Sequence, residues 1–171
     1  MTQALLIVAW PYEDQVLTSF RYADGYSMPA EYAGNATLTQ IRSKVDDTGY
    51  EVLYRCQGCF SWDHNGVAGS ASTSQGYLVA GRAQGNIVPE NPSCPSDITF
   101  GFHDDGFGQS GLPLDGAPNE SYEEWAALAT NSVAGSCGGD STEPPAEDDD
   151  PPASTGEAEP EPTGTDVTGE S

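Results

Sequence analysis

Short segments of strand length, separated by turn-forming residues, are the feature that most restricts how this chain folds. Residues 5–10 are continuously apolar, and residues 15–21 show the two-residue alternation of a strand. Four similar segments follow: residues 37–41, 49–55, 77–83 and 98–102. Runs of this length between Gly, Pro, Asn and Asp turns favour an antiparallel β-sandwich over βαβ units.

The two ends of this β-rich region differ from its middle. Residues 5–10 are apolar on both faces, a pattern typical of a central strand, so we expect either an unusually small sheet or missing upstream strands. At the other end, residues 121–129 predict a short helix, with Ser121 as N-cap and Glu123 and Glu124 in its first turn. No nucleotide-binding or hydrolase signature occurs along the chain.

Composition divides the 171 residues into two parts. Residues 140–171 contain 11 Asp or Glu, no Lys or Arg, and no aromatic residue. Such a segment buries too little apolar surface to offset its conformational entropy. We therefore predict a folded domain over residues 1–134 and a disordered acidic Pro/Gly/Ser/Thr linker over residues 135–171. The first 139 residues keep 16 acidic against 5 basic side chains, which argues against a nucleic-acid or anionic-membrane partner.

Four cysteines indicate the compartment: Cys56, Cys59, Cys94 and Cys137. A zinc site would need a second close Cys or His pair, and a thioredoxin-like motif would open a helix. An even number of cysteines in a small anionic domain instead favours two structural disulfides and a secreted protein. The glycosylation sequons at Asn35 and Asn119 agree with secretion. The chain shows no signal peptide and no apolar run long enough to span a membrane.

Few side chains could carry chemistry. The histidines are His64 and His103, and the methionines are Met1 and Met28. Asp104 and Asp105 beside His103 could support general-base chemistry, but neighbouring strand residues point to opposite faces. By residue type alone, His103 is a structural or surface histidine, Met1 an initiator, and Met28 a residue that fills a gap in the core.

A family resemblance changes that interpretation of the same residues. Seven segments carry it, in order: residues 1–10 (MTQALLIVAW), 19–26 (SFRYADGY), 34–39 (GNATLT), 54–59 (YRCQGC), 73–76 (TSQG), 100–111 and 119–128. Together they resemble the cytochrome domain attached to cellobiose dehydrogenases, a haem-b-binding DOMON-type sandwich. The resemblance extends over nearly all of residues 1–128.

The resemblance implies a haem b held between two sheets of an immunoglobulin-like antiparallel β-sandwich, incomplete at its N-terminus. By position, Met1 and His103 become the axial ligands of the iron. A thioether opposite an imidazole favours ferrous iron and leaves no open coordination position. Tyr26 matches a tyrosine near the haem propionates, and Phe102 and Phe107 flank the haem edge.

The resemblance also bears on the cysteines and on the start of the chain. Cys56–Cys59 corresponds to the short disulfide loop of the family, and we infer Cys94–Cys137 as a second bridge. Family members have further strands and a signal peptide before the methionine ligand. We therefore expect this chain to be truncated at its N-terminus, with a gene model begun at an internal Met.

The implied function is transfer of single electrons from a flavin dehydrogenase to an acceptor such as a lytic polysaccharide monooxygenase. The acidic segment then suits a linker between modules. Two alternatives stay open at this point. One is a non-redox module that binds carbohydrate through Trp10, Trp62 and Trp125, and the other is a stand-alone haem ferric reductase.

Overall fold

The computed structural model describes residues 3–129 and 135–137, all within one compact unit, Met1–Gly139. In chain order its elements are β1 (Ala4–Tyr12), β2 (Gln15–Ala23), β3 (Ala30–Glu31), β4 (Thr37–Asp46), β5 (Gly49–Gln57), β6 (Ser61–His64), β7 (Val67–Ser70), β8 (Tyr77–Ala83), β9 (Phe107–Pro113) and α1 (Tyr122–Ala127). Every strand pair is antiparallel. The predicted antiparallel β architecture with one short C-terminal helix is confirmed.

Strand β2 of the sheet β1–β2–β3 is covered on both faces, since residues on each of its sides are buried. On one face Trp10 and Leu17, which are paired across the two long strands, pack against Ile98. On the other face Tyr22 packs against Tyr32 and Ala36. In the described sheet the middle strand is β2, and β1 pairs with β2 alone. The choice between a small sheet and missing upstream strands, expected from the apolar residues 5–10, stays open.

The hairpin β4–β5 is joined to β2 by side-chain hydrogen bonds to its backbone. The buried Gln40 amide donates to the carbonyl oxygen of Val16 at 2.8 Å, and the Val16 N–H donates to Ser43 Oγ at 3.0 Å. Thr18 Oγ1 donates to the same Gln40 side chain at 3.0 Å. The pairing shifts register between Gln40 and Arg42, so the Gln40 side chain lies at a bulge facing β2.

The last predicted strand, residues 98–102, is wrong. Only Thr99 forms an isolated bridge there, with Glu90, while Ile98 and Phe100 pack against the Trp10 cluster instead of pairing in a sheet. The last strand is β9, which pairs with β8 from Ala83↔Phe107 to Tyr77↔Pro113. Strand β9 contains two glycines and a terminal proline, which are rare in strands, so strand propensity does not predict it. The hairpin β6–β7 was also missed, because each of its strands has only four residues.

The helix α1 is shorter than predicted, and Ser121 does not cap it. The Ser121 side chain makes no cap hydrogen bond, although Glu123 and Glu124 do lie in the first turn. The Ser121 N–H donates instead to Asn119 Oδ1 at 2.9 Å. The predicted domain boundary and acidic linker concern residues 130–134 and 138–171, which lie outside the described residues. No helix of the described part is long and apolar enough to cross a membrane.

Candidate functional site

His103 lies in the loop between β8 and β9, and backbone hydrogen bonds hold that loop in shape. At its base, the Gln84 N–H donates to the Gly106 carbonyl oxygen at 2.9 Å, and the Asp105 N–H donates to the Gln84 carbonyl oxygen at 3.0 Å. The Asn86 N–H donates to Asp104 Oδ1 at 2.9 Å. Gly106 has a φ of 113°, which a residue with a Cβ rarely adopts. The loop therefore presents His103 from a defined backbone.

Two phenylalanine rings flank the His103 imidazole. The Phe102 ring stacks on it with centroids 4.3 Å apart, and the Phe107 ring is tilted against it at 5.0 Å. His103 itself is half-buried, but Phe102 is 69% and Phe107 75% exposed. Large aromatic faces are rarely this exposed unless a partner or ligand covers them.

The exposed aromatic pair continues into one face of the hairpin β8–β9, which we call the hairpin face. Because side chains alternate along strands, Tyr77, Val79 and Ala83 share one face of β8. Phe107 lies on the same side, because it pairs with Ala83 across the hairpin. Gly81 lies between them, so the backbone is uncovered at the middle of the face. All five residues are exposed. The result is an apolar surface with a half-buried imidazole at its edge.

Comparison with known proteins identifies the family of the chain. Residues 1–124 match the family model described as the cytochrome domain of cellobiose dehydrogenase. The chain belongs to this family. The solved cytochrome domain of Myriococcum thermophilum cellobiose dehydrogenase is 48% identical, with a TM-score of 0.73, and the match covers 78% of this chain and 64% of that structure.

A second solved structure agrees with the fold. It is the cytochrome b domain of pyranose dehydrogenase from Coprinopsis cinerea, 24% identical with a TM-score of 0.57. The match covers 78% of this chain and 68% of that one. At this identity the likeness shows the fold alone. The chain thus spans about two thirds of the length of each of these cytochrome domains.

The described residues fit a haem, which the family implies. An imidazole is a common axial ligand of haem iron, and His103 carries one between two exposed aromatic rings. The hairpin face exposes Tyr77, Val79 and Phe107, against which a porphyrin plane would pack.

The structure brings together only some of the predicted site residues. Phe102, His103 and Phe107 form one cluster, whereas Tyr26 lies outside it, 83% exposed after the end of β2. Met1, the second predicted iron ligand, lies outside the described residues. The Asp104 carboxylate holds the loop backbone, so it has a structural contact there.

The three tryptophans do not form a shared carbohydrate platform. Trp10 is buried, and its Nε1–H donates to the Pro92 carbonyl oxygen at 2.8 Å. Trp62 packs against the Tyr22 cluster, and only Trp125 is exposed, on α1. The residues on which the carbohydrate-binding alternative depended are therefore dispersed.

The structure contains two disulfides, Cys56–Cys59 and Cys94–Cys137. They close loops of very different length, with sequence separations of 3 and 43. The second one ties residue 137 to the segment that packs beside β2. Both disulfides pair the cysteines as we inferred from the sequence.

The two sequon asparagines have different surroundings. Asn35 Oδ1 accepts hydrogen bonds from Tyr32 Oη at 3.0 Å and from the Asp63 N–H at 2.7 Å, and its Nδ2 donates to the Ser61 carbonyl oxygen. Asn119 uses only Oδ1, in a local turn with Ser121. The Asn35 amide thus connects the segment after β3 to β6, a role that the sequon gave no reason to expect.

The hairpin face is the part of the candidate site that sequence reasoning missed. Its strand β8 was predicted with the correct bounds, and the alternation of Tyr77, Val79 and Ala83 was visible in it. What was missing was the partner strand β9, which shows that Phe107 lies on the same side.

Proposed function

We propose that the chain is a haem b electron-transfer domain in which Met1 and His103 are the axial ligands of the iron. The observation that carries the proposal is the half-buried His103 imidazole between two exposed phenylalanines at the edge of the hairpin face. Family membership supports it, because the family is that of a cytochrome domain. When bound, haem b supplies one-electron oxidation and reduction.

The surrounding residues prepare His103 for this role. The hydrogen-bonded base of its loop restricts the position of the imidazole. The rings of Phe102 and Phe107 pack against the imidazole and restrict its rotation. Haem iron held by both Met1 and His103 would transfer single electrons and would leave no free position for substrate or oxygen.

The proposed partners follow from the same family. We propose that a flavin dehydrogenase domain, in the same chain or a separate one, donates single electrons to the haem. A lytic polysaccharide monooxygenase or another external acceptor then takes them. We further propose that the protein is secreted, in agreement with its two disulfides.

The absorption spectrum of the haem-loaded chain tests the ligand assignment. We expect a low-spin reduced spectrum in the unchanged chain and its loss in the His103→Ala variant. His64→Gln is the matched control, because His64 is the other histidine of the chain and is buried in a separate cluster. Retention of the low-spin spectrum by His103→Ala, or an equal loss in His64→Gln, would contradict the assignment.

Electron transfer itself needs a separate measurement. Rapid mixing of the oxidised, haem-loaded chain with a flavin dehydrogenase and its sugar should reduce the haem. Subsequent mixing with a copper monooxygenase should reoxidise it. If the haem is reduced but not reoxidised, the flavin dehydrogenase stays as the proposed donor and the copper monooxygenase is excluded as the acceptor.

A further inference from the structure

Three buried polar atoms of one core cluster have no hydrogen-bond partner in the described part of the chain. They are Tyr22 Oη, Trp62 Nε1 and His64 Nδ1. Tyr22 is 4% and His64 9% exposed, so bulk water does not reach either side chain freely. A buried polar group without a partner costs about 1–3 kcal/mol. Three such groups in one place call for a shared explanation.

These side chains point into the same layer of the core. Trp62 and His64 are two residues apart on β6, so they share the face that packs against the sheet β1–β2–β3. Trp62 packs against the cluster that contains Tyr22. The rings of Tyr22 and His64 are stacked, with centroids 4.3 Å apart and an interplanar angle of 21°. The three unpaired polar atoms therefore belong to side chains of one contacting cluster.

The neighbouring polar groups are already engaged. Tyr32 is also stacked on His64, at 5.5 Å, but the single proton of its Oη is shared between the Asp63 carbonyl oxygen and Asn35 Oδ1, and the Oη accepts from the Ala36 N–H. It cannot serve the three unpaired atoms without giving up these bonds. The partner must therefore come from outside the described side chains.

The chemistry of the three atoms indicates what that partner is. Asn65 Nδ2 lies 3.1 Å from His64 Nε2, and the donor and acceptor roles at the ring depend on its tautomer. In the tautomer with the proton on Nδ1, Nε2 accepts from this amide. The site then offers two N–H donors, His64 Nδ1 and Trp62 Nε1, and one hydroxyl, Tyr22 Oη. A water oxygen accepts from two N–H groups and donates to a hydroxyl, which satisfies all three.

We propose that an internal water molecule binds between Tyr22, Trp62 and His64 and is part of the folded structure. It joins β2 to the hairpin β6–β7 through hydrogen bonds that the protein alone does not make. The proposal concerns a different part of the core from the hairpin face and does not depend on haem binding.

Nuclear magnetic resonance of the whole ¹⁵N-labelled chain tests the water directly. We expect cross-peaks to a long-lived water from the indole N–H of Trp62 and from the ring N–H of His64. The nitrogen shifts of His64 should show the proton on Nδ1. The indole N–H of Trp10 is the internal control, because it is also buried but donates to Pro92. The proposal is wrong if both water cross-peaks are absent, or if His64 carries its proton on Nε2 alone. It is also wrong if the chemical shifts of the Trp62 indole and the His64 imidazole change on titration with chloride.

The variant Tyr22→Phe gives an independent measure, because it removes only the hydroxyl group. With the water in place, the change removes an acceptor of that water and should raise the unfolding equilibrium constant about fivefold. Tyr54→Phe, on the more exposed strand β5, is the matched control and should change it little. If the hydroxyl has no partner at all, Tyr22→Phe leaves the constant unchanged or lowers it, and the proposal is wrong.

Discussion

Arg21 shows how a single buried cation organises a loop. Its guanidinium donates to Ser19 Oγ and to the carbonyl oxygens of Pro29, Pro95 and Ser96, at 2.8–3.1 Å. Burial lowers the pKa of the guanidinium below its usual range, and the charges of Glu31 and Asp97 oppose that effect. The arrangement fastens the segment that contains Cys94 to β2. Sequence reasoning saw Arg21 only as one position of an alternating strand.

At the same scale, Asp46 gives a stability effect that depends on pH. The hydrogen bond from Lys44, followed by those from Thr48, lowers the pKa of the Asp46 carboxyl from 3.8 to about 2. Since the pKa is lower in the folded state, the contribution is fully present above about pH 4 and is lost as the pH falls through about 2.

We expect Asp46→Asn to reduce the free energy of unfolding near neutral pH and to have little effect at about pH 2. Urea denaturation of both proteins at several pH values checks this. The side chain is fully exposed, so the effect should also shrink with added salt. If the difference in free energy of unfolding between the two proteins stays constant across the acid range, the stability effect does not come from the lowered pKa of Asp46.

At the scale of elements, the two disulfides contribute unequally. In the chain-entropy description, a disulfide stabilises by restricting the unfolded chain, and the effect grows with the logarithm of loop length. The separations of 43 and 3 residues then correspond to a difference of about 2 kcal/mol in favour of Cys94–Cys137. Arg21 holds the carbonyl groups of the residues just after Cys94, so this loop is anchored twice.

We expect replacement of Cys94 and Cys137 by alanine to lower the free energy of unfolding by about 4 kcal/mol. The matched replacement of Cys56 and Cys59 should lower it by about 2 kcal/mol. Chemical denaturation without reductant measures both. With excess reductant, the unchanged chain should become less stable than either double variant without reductant. Equal losses in the two variants would show that loop length does not set the contribution.

At the scale of the whole molecule, the hairpin β8–β9 contrasts with the sheet β1–β2–β3. Strand β2 of the sheet is covered on both sides, whereas the hairpin leaves apolar side chains exposed on each face. Val79 lies on the face shared with Phe107, and Leu112 lies on the opposite face. They are 56% and 46% exposed, which makes them a matched pair for testing which face the haem covers.

Val79→Ser should raise the dissociation constant for haem about fivefold, since about 1 kcal/mol of apolar burial is lost. Leu112→Ser should leave that constant unchanged. Neither change should lower the stability of the haem-free chain much, because both side chains are already half-exposed there. Titration of haem into each protein, followed by absorbance, gives the constants. Equal weakening by the two variants would exclude the hairpin face as the specific haem contact.

Local pattern and residue chemistry were enough to determine much of this protein from its sequence. Two-residue alternation located β2, and short segments of strand length between turns located β4, β5 and β8, because both features are visible in neighbouring residues. The even number of cysteines indicated two disulfides, and the motif order indicated the cytochrome family. These signals are local or are shared by whole families, so no tertiary contact was needed to detect them.

Long-range packing decided the rest. The segment 107–113 becomes a strand only through its pairing with β8, and residues 98–102 fail to become one because Ile98 and Phe100 bury against Trp10 and Leu17. The same packing leaves Phe102 and Phe107 exposed around His103, and it encloses three unpaired polar atoms beside Tyr22. Free energies of burial and hydrogen bonding depend on which distant residues meet, and the pattern of a single segment does not contain that information.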